Sequence, residues 1–295
     1  MTPRLLAIPL FIGFLILSCQ DILALGSLDD AENDAFLKSV HEIIGCESCH
    51  LPGKADKIAR SDLPGLCSDC HPNQYKEFAR SVHWQGKGAV CIDCHGSHDI
   101  RLVRKPESKA YRSLVCGSCH MGPKEHFDQG PHKSGMEKTG ALACASCHGN
   151  HDVQHPTMAA IEPACVRCHT QGTPEFQMGQ QVKHLFEGIR DSLSLAALQI
   201  ETADDLGLNT RKAMEFANDA TGGFTRAKLV WHGLDLKKIE EEVRSTSKTT
   251  EKVLGTVSSL LDSHRLRRIG LATAWIVILA NVAILLLKKS RIERK

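Results

Sequence analysis

The stretch Cys46-Glu47-Ser48-Cys49-His50 is the first of six C-x-x-C-H motifs that occur between residues 46 and 169. The six motifs use twelve of the thirteen cysteines, and the remaining one, Cys19, lies near the N-terminus. The motif cysteines are Cys46, Cys49, Cys67, Cys70, Cys91, Cys94, Cys116, Cys119, Cys144, Cys147, Cys165 and Cys168. The histidines that follow them are His50, His71, His95, His120, His148 and His169.

C-x-x-C-H is the attachment sequence for c-type haem. Two cysteines separated by two residues on a helical turn reach both vinyl groups of one porphyrin, and the adjacent histidine reaches the iron as the proximal ligand. Paired C-x-x-C zinc sites and a disulfide framework are the alternatives. Neither of them explains why a histidine follows all six cysteine pairs. We therefore predict six covalently bound c-type haems.

The motifs are grouped in pairs, so the repeating unit is two motifs long. Successive first cysteines are 21, 24, 25, 28 and 21 residues apart, and alternate motifs recur every 45 to 53 residues. The third and fifth motifs continue as C-H-G-x-H-D, and the segment Ser39-Val40-His41 recurs as Ser81-Val82-His83. The chain therefore contains three copies of one two-motif repeat.

Additional histidines recur with the repeat, and we predict that they are distal ligands of the haem irons. The candidates are His41, His83, His98, His132, His151 and His184. An iron with histidine on both sides is six-coordinate and suits electron transfer, whereas an open sixth position admits a substrate. The sequence does not indicate which histidine serves which haem, and His155 or His232 is an alternative to one of the six.

Both ends of the chain carry apolar segments typical of an exported and anchored protein. Residues 1–24 have the layout of a signal peptide, and cleavage before Cys19 as a lipoprotein is the alternative. Residues 269–287 form an uncharged stretch long enough to cross a bilayer as a helix. Five basic residues in the tail, 288–295, against three before the span favour a cytoplasmic tail. We expect a single-pass protein of the cytoplasmic membrane with its haem domain in the periplasm.

The composition predicts a mainly α fold in which haem supplies much of the core. Only 5% of the residues are aromatic, so porphyrins would fill the haem domain, residues 36–178, between short helices and loops. Apolar residues at helical spacing predict a long-helix hairpin or stalk over residues 179–268, with a break at Thr221-Gly222-Gly223. One C-terminal transmembrane helix follows. The formal net charge of +2, with both signs interspersed, argues against nucleic acid as a partner.

The alternation of a plain C-x-x-C-H, an S-x-H segment and a C-H-G-x-H motif resembles the periplasmic multihaem c-type cytochromes with a doubled C-x-x-C-H motif. The resemblance covers about residues 39–184 and implies bis-histidine haems in close-packed pairs that relay electrons. Membrane-anchored members of the NapC/NrfH type pass electrons from quinol to periplasmic reductases. This chain departs from them because its anchor is C-terminal and because it has six motifs where they usually have four or five.

The favoured hypothesis is a membrane-anchored hexahaem cytochrome of anaerobic respiration that transfers electrons between a quinone-linked membrane donor and periplasmic or extracellular acceptors. It would have no catalytic residues of its own. Its partners would be an integral-membrane quinone-oxidising subunit and a periplasmic cytochrome or reductase, together with the lipid bilayer. A nitrite, hydroxylamine or sulfite reductase with one five-coordinate haem is the alternative. A haem-bearing sensor is a third hypothesis, against which the short tail argues.

Overall fold

The computed structural model describes residues 32–50, 58–86, 88–101, 108–139 and 143–294. The predicted signal peptide and Cys19 lie outside the described residues. The chain divides into two compact units, Met1–Lys124 with His132–Pro156 and Glu125–Pro131 with Thr157–Lys295. The mainly α prediction is confirmed, because the described residues form helices, 3-10 turns and loops and contain no strand.

Short helices dominate the motif-bearing part of the chain, as the sequence predicts. Residues 32–37 are helical, and two 3-10 turns, Glu42–Ile44 and Cys46–Ser48, follow them. They are followed by α1 (Leu63–Ser68), α2 (Pro72–Phe78), α3 (Val82–Gln85), α4 (Cys91–His95), α5 (Ser108–Cys119), α6 (Met121–Gln129), α7 (Pro131–Thr139) and α8 (Cys144–His148). A 3-10 turn, Met158–Ala160, and α9 (Ile161–Cys165) complete this part.

Three long helices form most of the second unit. They are α10 (Pro174–Asp205), α11 (Arg211–Val230) and α12 (Leu236–Glu293), and a 3-10 turn at Trp231–Gly233 precedes α12. Thr173 caps α10, since its side chain accepts a hydrogen bond from the backbone N–H of Phe176, and Asp235 caps α12 in the same way through Lys238. Side chains from these helices form two apolar clusters. One contains Val182, Phe186, Ile189, Ala227, Ile239 and Val243, and the other contains Ala196, Ala203, Ala213, Val253 and Val257.

The predicted break at Thr221-Gly222-Gly223 is wrong, because α11 runs through it without interruption. A line of small buried residues follows one face of this helix, namely Ala213, Ala220, Gly223 and Ala227. A Cβ atom at position 223 would lie 2.6 Å from Oγ1 of Thr246 on α12. Gly223 therefore allows the two helices to approach closely, although glycine in a sequence usually signals the end of a helix.

The last part of α12 is apolar and exposed. At 1.5 Å per residue this 58-residue helix is about 87 Å long. Its side chains between residues 269 and 287 are exposed, and among the described residues it is the one helix long and apolar enough to cross a membrane. The helix thus continues from the bundle into the predicted span without a break.

The contact between Gly223 and Thr246 predicts that Gly223→Ala destabilises the bundle. Thr246 is buried and its hydroxyl donates to the carbonyl of Glu242, so the added methyl group forces a shift that costs about 1–3 kcal/mol. Gly188→Ala is the matched control, since nothing lies within 4 Å of its Cβ position and helix propensity favours alanine by about 1 kcal/mol. Thermal unfolding of the full haem-loaded chain, followed by circular dichroism, measures both. Equal midpoints would contradict this account of helix approach.

Candidate haem-attachment sites

Each C-x-x-C-H motif forms a single helical turn. In four motifs the backbone N–H of the histidine donates to the carbonyl of the first cysteine at 2.9 Å, as in His50 to Cys46 and His71 to Cys67. The motifs at Cys91 and Cys144 are the short helices α4 and α8. Residues three and four apart on a helical turn lie on one face. Both thiols and the imidazole of a motif are therefore presented on the same side, as attachment to one porphyrin requires.

Four motif histidines lie opposite a second histidine at nearly constant separation. The ring centroids are 6.0 Å apart for His41 and His71, 6.0 Å for His50 and His98, 6.1 Å for His83 and His120, and 6.1 Å for His95 and His151. The angles between the ring planes are 28°, 13°, 43° and 32° in the same order. Each pair joins one motif histidine to one of the predicted distal histidines.

The separation within these pairs fits an axially ligated iron. Two imidazoles that each place a nitrogen about 2 Å from one metal ion, on opposite sides, have centroids about 6 Å apart. Within the described residues, no three His, Cys, Asp or Glu side chains converge as the ligands of a bare metal ion. Two protein ligands suffice only where the metal brings its other ligands, as the iron of a porphyrin does. The pairs therefore fit haem better than zinc.

The four pairs follow one rule along the repeat, which the sequence did not reveal. The histidine of each S-V-H segment faces the second motif of its own repeat, so His41 faces His71 and His83 faces His120. The second histidine of each C-H-G-x-H-D segment faces the first motif of the preceding repeat. The second repeat therefore supplies one ring to itself and one to the first repeat, and the third supplies one ring to the second.

Backbone hydrogen bonds hold these segments in register. The N–H of Val40 donates to the carbonyl of Ile100 at 3.0 Å, and that of Val82 donates to Val153 at 2.8 Å. Each bond places an S-V-H histidine next to the C-H-G-x-H-D segment of the following repeat. Arg80 adds an ion pair to Asp152 at 3.0 Å. The two distal histidines at each junction are thereby positioned together.

Two residue types in these segments shape the local backbone. Gly96 and Gly149, which follow the third and fifth motifs, have φ of 79° and 75°, a conformation that favours glycine. Ser39 and Ser81 are buried, and their hydroxyl oxygens accept backbone N–H groups from His41 and Trp84 respectively. In the sequence, a serine recurs two residues before both His41 and His83. The structure shows that these serines hold the backbone around the two histidines.

Burial lowers the pKa of three of these imidazoles and so favours their neutral form. Burial, and next the charge of His120, lowers the pKa of His83, while burial followed by His151 and His71 lowers the pKa of His95. The pKa of His148 falls for the same reasons, burial first and His120 second. Neutral imidazole is the form that binds a metal, so the electrostatics of the sites favour ligation.

Carboxylates lie behind two of the distal histidines. Oε2 of Glu77 is 3.4 Å from Nδ1 of His151, and Oε2 of Glu32 is 3.9 Å from Nδ1 of His98. A carboxylate that accepts the Nδ1 proton orients an imidazole and makes its other nitrogen a stronger electron donor. The sequence analysis missed both glutamates, because their distances from the motifs differ between repeats.

The first five motifs are neighbours in chain order. The Cys67 thiol donates a hydrogen bond to Cys91, which lowers the pKa of Cys91 to about 7, and Cys116 makes the same kind of contact with Cys144. The other neighbouring motifs are close enough for their cysteines to interact electrostatically. Cys49 of the first motif interacts with Cys67 and Cys70 of the second. Cys94 of the third motif interacts with Cys116 and Cys119 of the fourth. Two kinds of junction thus alternate along the chain. In one kind the second cysteine of the earlier motif lies near the next motif, and in the other kind the first cysteines of the two motifs contact each other.

The other predicted ligands lie in helices or next to them. His132 is in α7 and partly buried, and the motif histidines His148 and His169 lie at the end of α8 and after α9. His184 is different, because its side chain is 76% exposed on α10 and lies 3.7 Å from Glu187 on the same helix. His232 is partly buried in the turn before α12.

Comparisons with known proteins agree with this chemistry. The family model for cytochrome c554 and c-prime matches residues 115–191. The multiheme cytochrome MtrA of Shewanella baltica (strain OS185) is 25% identical over 43% of this chain and 42% of its own length. The cytochrome c-type protein TorC of Escherichia coli (strain K12) is 27% identical over 45% of this chain and 40% of its own length. The cytochrome c-type protein NrfB of Haemophilus influenzae (strain ATCC 51907 / DSM 11121 / KW20 / Rd) is 28% identical over 42% of this chain and 63% of its own length. The chain thus covers less than two thirds of each relative. No solved structure matches it significantly.

The buried serine of the second repeat predicts a measurable loss of stability on its removal. Ser81→Ala deletes the acceptor for the Trp84 N–H at the start of α3, and such a cap contributes about 1 kcal/mol. The control is Ser68→Ala, whose exposed hydroxyl donates to Gly65 and whose loss should cost less than about 0.5 kcal/mol. Urea unfolding of the haem-loaded chain compares the two. A larger loss for Ser68→Ala would contradict the role given to Ser81.

Proposed function

We propose that this chain is a multihaem c-type cytochrome with a NapC/NrfH-like role, that it carries six haems, and that it transfers electrons between a quinone-linked membrane donor and periplasmic or extracellular acceptors. The observation that supports the proposal most directly is the set of four histidine pairs at 6.0 to 6.1 Å. Each pair combines the histidine of an attachment motif with a histidine from elsewhere in the chain. This is the arrangement expected of iron with both axial positions closed.

From these pairs we propose ligands for the first four haems. The haems attached through Cys46, Cys67, Cys91 and Cys116 would each be held by two thioether bonds and by two imidazoles. The proximal ligands are His50, His71, His95 and His120, and the distal ligands, in the same order, are His98, His41, His151 and His83. The remaining two haems would be attached through the fifth and sixth motifs, with His148 and His169 as proximal ligands. His132 and His184 are the distal ligands expected for them from the sequence.

The arrangement favours electron transfer over substrate chemistry. Haem iron, when bound, takes up and releases one electron, and histidine on both sides leaves no coordination position for a substrate. The residues of this chain would attach each group, favour the neutral form of His83, His95 and His148, and place the first five motifs side by side. The contacts between neighbouring cysteines in the first five motifs support a continuous path in chain order.

The apolar end of α12 supports a membrane anchor. We infer that residues 269–287 span the cytoplasmic membrane once, with the haems in the periplasm and residues 288–295 in the cytoplasm. An integral-membrane quinone-oxidising subunit would then be the donor, and a periplasmic cytochrome or reductase the acceptor. The exposure of every side chain in the apolar segment is the structural support for lipid contact.

The test is a pyridine haemochrome assay combined with low-temperature electron paramagnetic resonance on the purified, oxidised full chain. We expect six haems per chain and only low-spin signals typical of bis-histidine iron. A stoichiometric high-spin signal that shifts on addition of nitrite or cyanide would overturn the proposal. It would favour instead a reductase with one open haem.

The carboxylate behind His151 predicts a change in one reduction potential. Glu77→Gln removes the negative charge next to Nδ1, weakens electron donation to the iron and so raises the midpoint potential of one haem. Because Glu77 is about half exposed, the shift should be modest. Glu251→Gln, an equal loss of charge at an exposed position of α12, is the control. Potentiometric titration followed by paramagnetic resonance compares the variants, and a fall or no change for Glu77→Gln would refute the tuning role.

A further inference from the structure

The apolar end of α12 contains one side-chain amide, that of Asn281. This residue lies three positions from the midpoint of residues 269–287, which is about 4.5 Å along the helix axis. Its Nδ2 donates to the carbonyl oxygen of Val277 at 2.8 Å. The bond uses one amide N–H and leaves the second N–H and the side-chain oxygen without a partner among the described residues. On the proposed span this amide lies in hydrocarbon, where no water completes its hydrogen bonds.

A hydroxyl group in the same segment shows the contrast. The side chain of Thr273 donates to the carbonyl oxygen of Ile269 at 2.9 Å, so its one proton is used within its own helix. An amide has two N–H donors and an acceptor oxygen, which a single backbone carbonyl does not satisfy. Asn281 therefore requires a polar group from outside α12 if its remaining donor and acceptor are to be paired.

Two small residues share the helix face of Asn281. Gly270, Ala274, Val277 and Asn281 follow one another at intervals of four, three and four residues, and they lie within about 60° of one another around the helix axis. A Cβ atom on Gly270 would meet nothing within 4 Å, so no contact within the described chain requires glycine there. Small residues at this spacing allow the backbones of two membrane helices to approach closely. We call these four residues the amide face.

We propose that the amide face binds the same face of a second copy of this chain, and that the two Asn281 side chains hydrogen-bond to each other across the contact. The inference rests on the proposed function, because it takes residues 269–287 to span the membrane. It adds a parallel pair of anchor helices to that function.

The chemistry of the amide favours a second copy as the partner. All copies of a single-pass chain insert with the same orientation, so Asn281 lies at the same depth in each of them. A two-fold axis along the membrane normal then places each Asn281 next to its counterpart. An amide is both donor and acceptor, so the second N–H of one copy can donate to the side-chain oxygen of the other. The unmatched groups of Asn281 are thus complementary to themselves.

The other side of the helix suits lipid. Trp275, Leu279 and Leu286 are large and exposed, and they lie away from Asn281 around the helix axis. A pair formed through the amide face would leave these three side chains in contact with acyl chains. Contact through their side would instead hold the backbones apart and leave both amides in hydrocarbon.

The test measures self-association of the full haem-loaded chain by sedimentation equilibrium in density-matched detergent micelles, with haem absorbance as the signal. We expect a dimer for the wild type. Asn281→Leu removes the amide at similar volume and should raise the dissociation constant about tenfold. Gly270→Ile should weaken the dimer because it blocks close approach. Ala272→Ile is the matched control, since it adds bulk on the other side of the helix and should leave the dimer unchanged.

Carbonate extraction of membranes and a pyridine haemochrome count, on the same preparations, separate the two ways to fail. A wild-type chain that stays in the membrane with its haems but sediments as a monomer overturns the inference and leaves the proposed function intact. The inference also fails if Asn281→Leu dimerises as tightly as the wild type, or if Ala272→Ile weakens the dimer as much as Gly270→Ile does. A chain that carbonate releases from the membrane would contradict the proposed span and the dimer together.

Discussion

The facing of two imidazoles across about 6 Å is the interaction on which the first unit depends. The four pairs join residues that are 30 to 56 positions apart in the sequence, so they act as long-range crosslinks. Apolar packing contributes little there: of the buried hydrophobic side chains among the described residues, Met136 and Ala143 alone belong to this unit. A chain of this length normally buries a larger core to offset its conformational entropy. Ligation and porphyrin surface would therefore supply most of the stability, and folding would be coupled to haem attachment.

The pairing rule makes neighbouring repeats mutually dependent. The second repeat keeps His83 for its own second motif and gives His98 to the first motif of the first repeat, and His151 of the third repeat faces the first motif of the second. The backbone bonds from Val40 to Ile100 and from Val82 to Val153 join the same segments. Because each junction combines ligands from two repeats, no repeat is complete alone, as is usual in repeat proteins whose units bury their surfaces against neighbours.

The sequence predicted the attachment chemistry well because that chemistry is local. Two thioether bonds and a proximal histidine must lie within one helical turn, so spacing alone identifies them. Distal ligands were harder: His41, His83, His98 and His151 were predicted from their recurrence, but the motif that each of them faces is a long-range property that no spacing encodes. His184 was favoured by its distance from His169, a measure that ignores its exposed position on α10. The break expected at Gly223 was wrong for a related reason, since glycine there permits contact between helices, and a sequence pattern cannot distinguish that role from helix termination.

The composition of the anchor limits how electrons enter from the membrane. Residues 269–287 contain neither histidine nor cysteine, so this segment offers no side chain of the kind that attaches or ligates a haem. The same helix packs in the bundle through Ile239, Val243, Val253 and Val257, which are buried against α10 and α11. One helix thus combines an apolar, exposed end with packing in the bundle. On the proposed function, this end holds the cytochrome at the bilayer, and any haem that accepts electrons from the membrane lies outside the span, where the attachment motifs are.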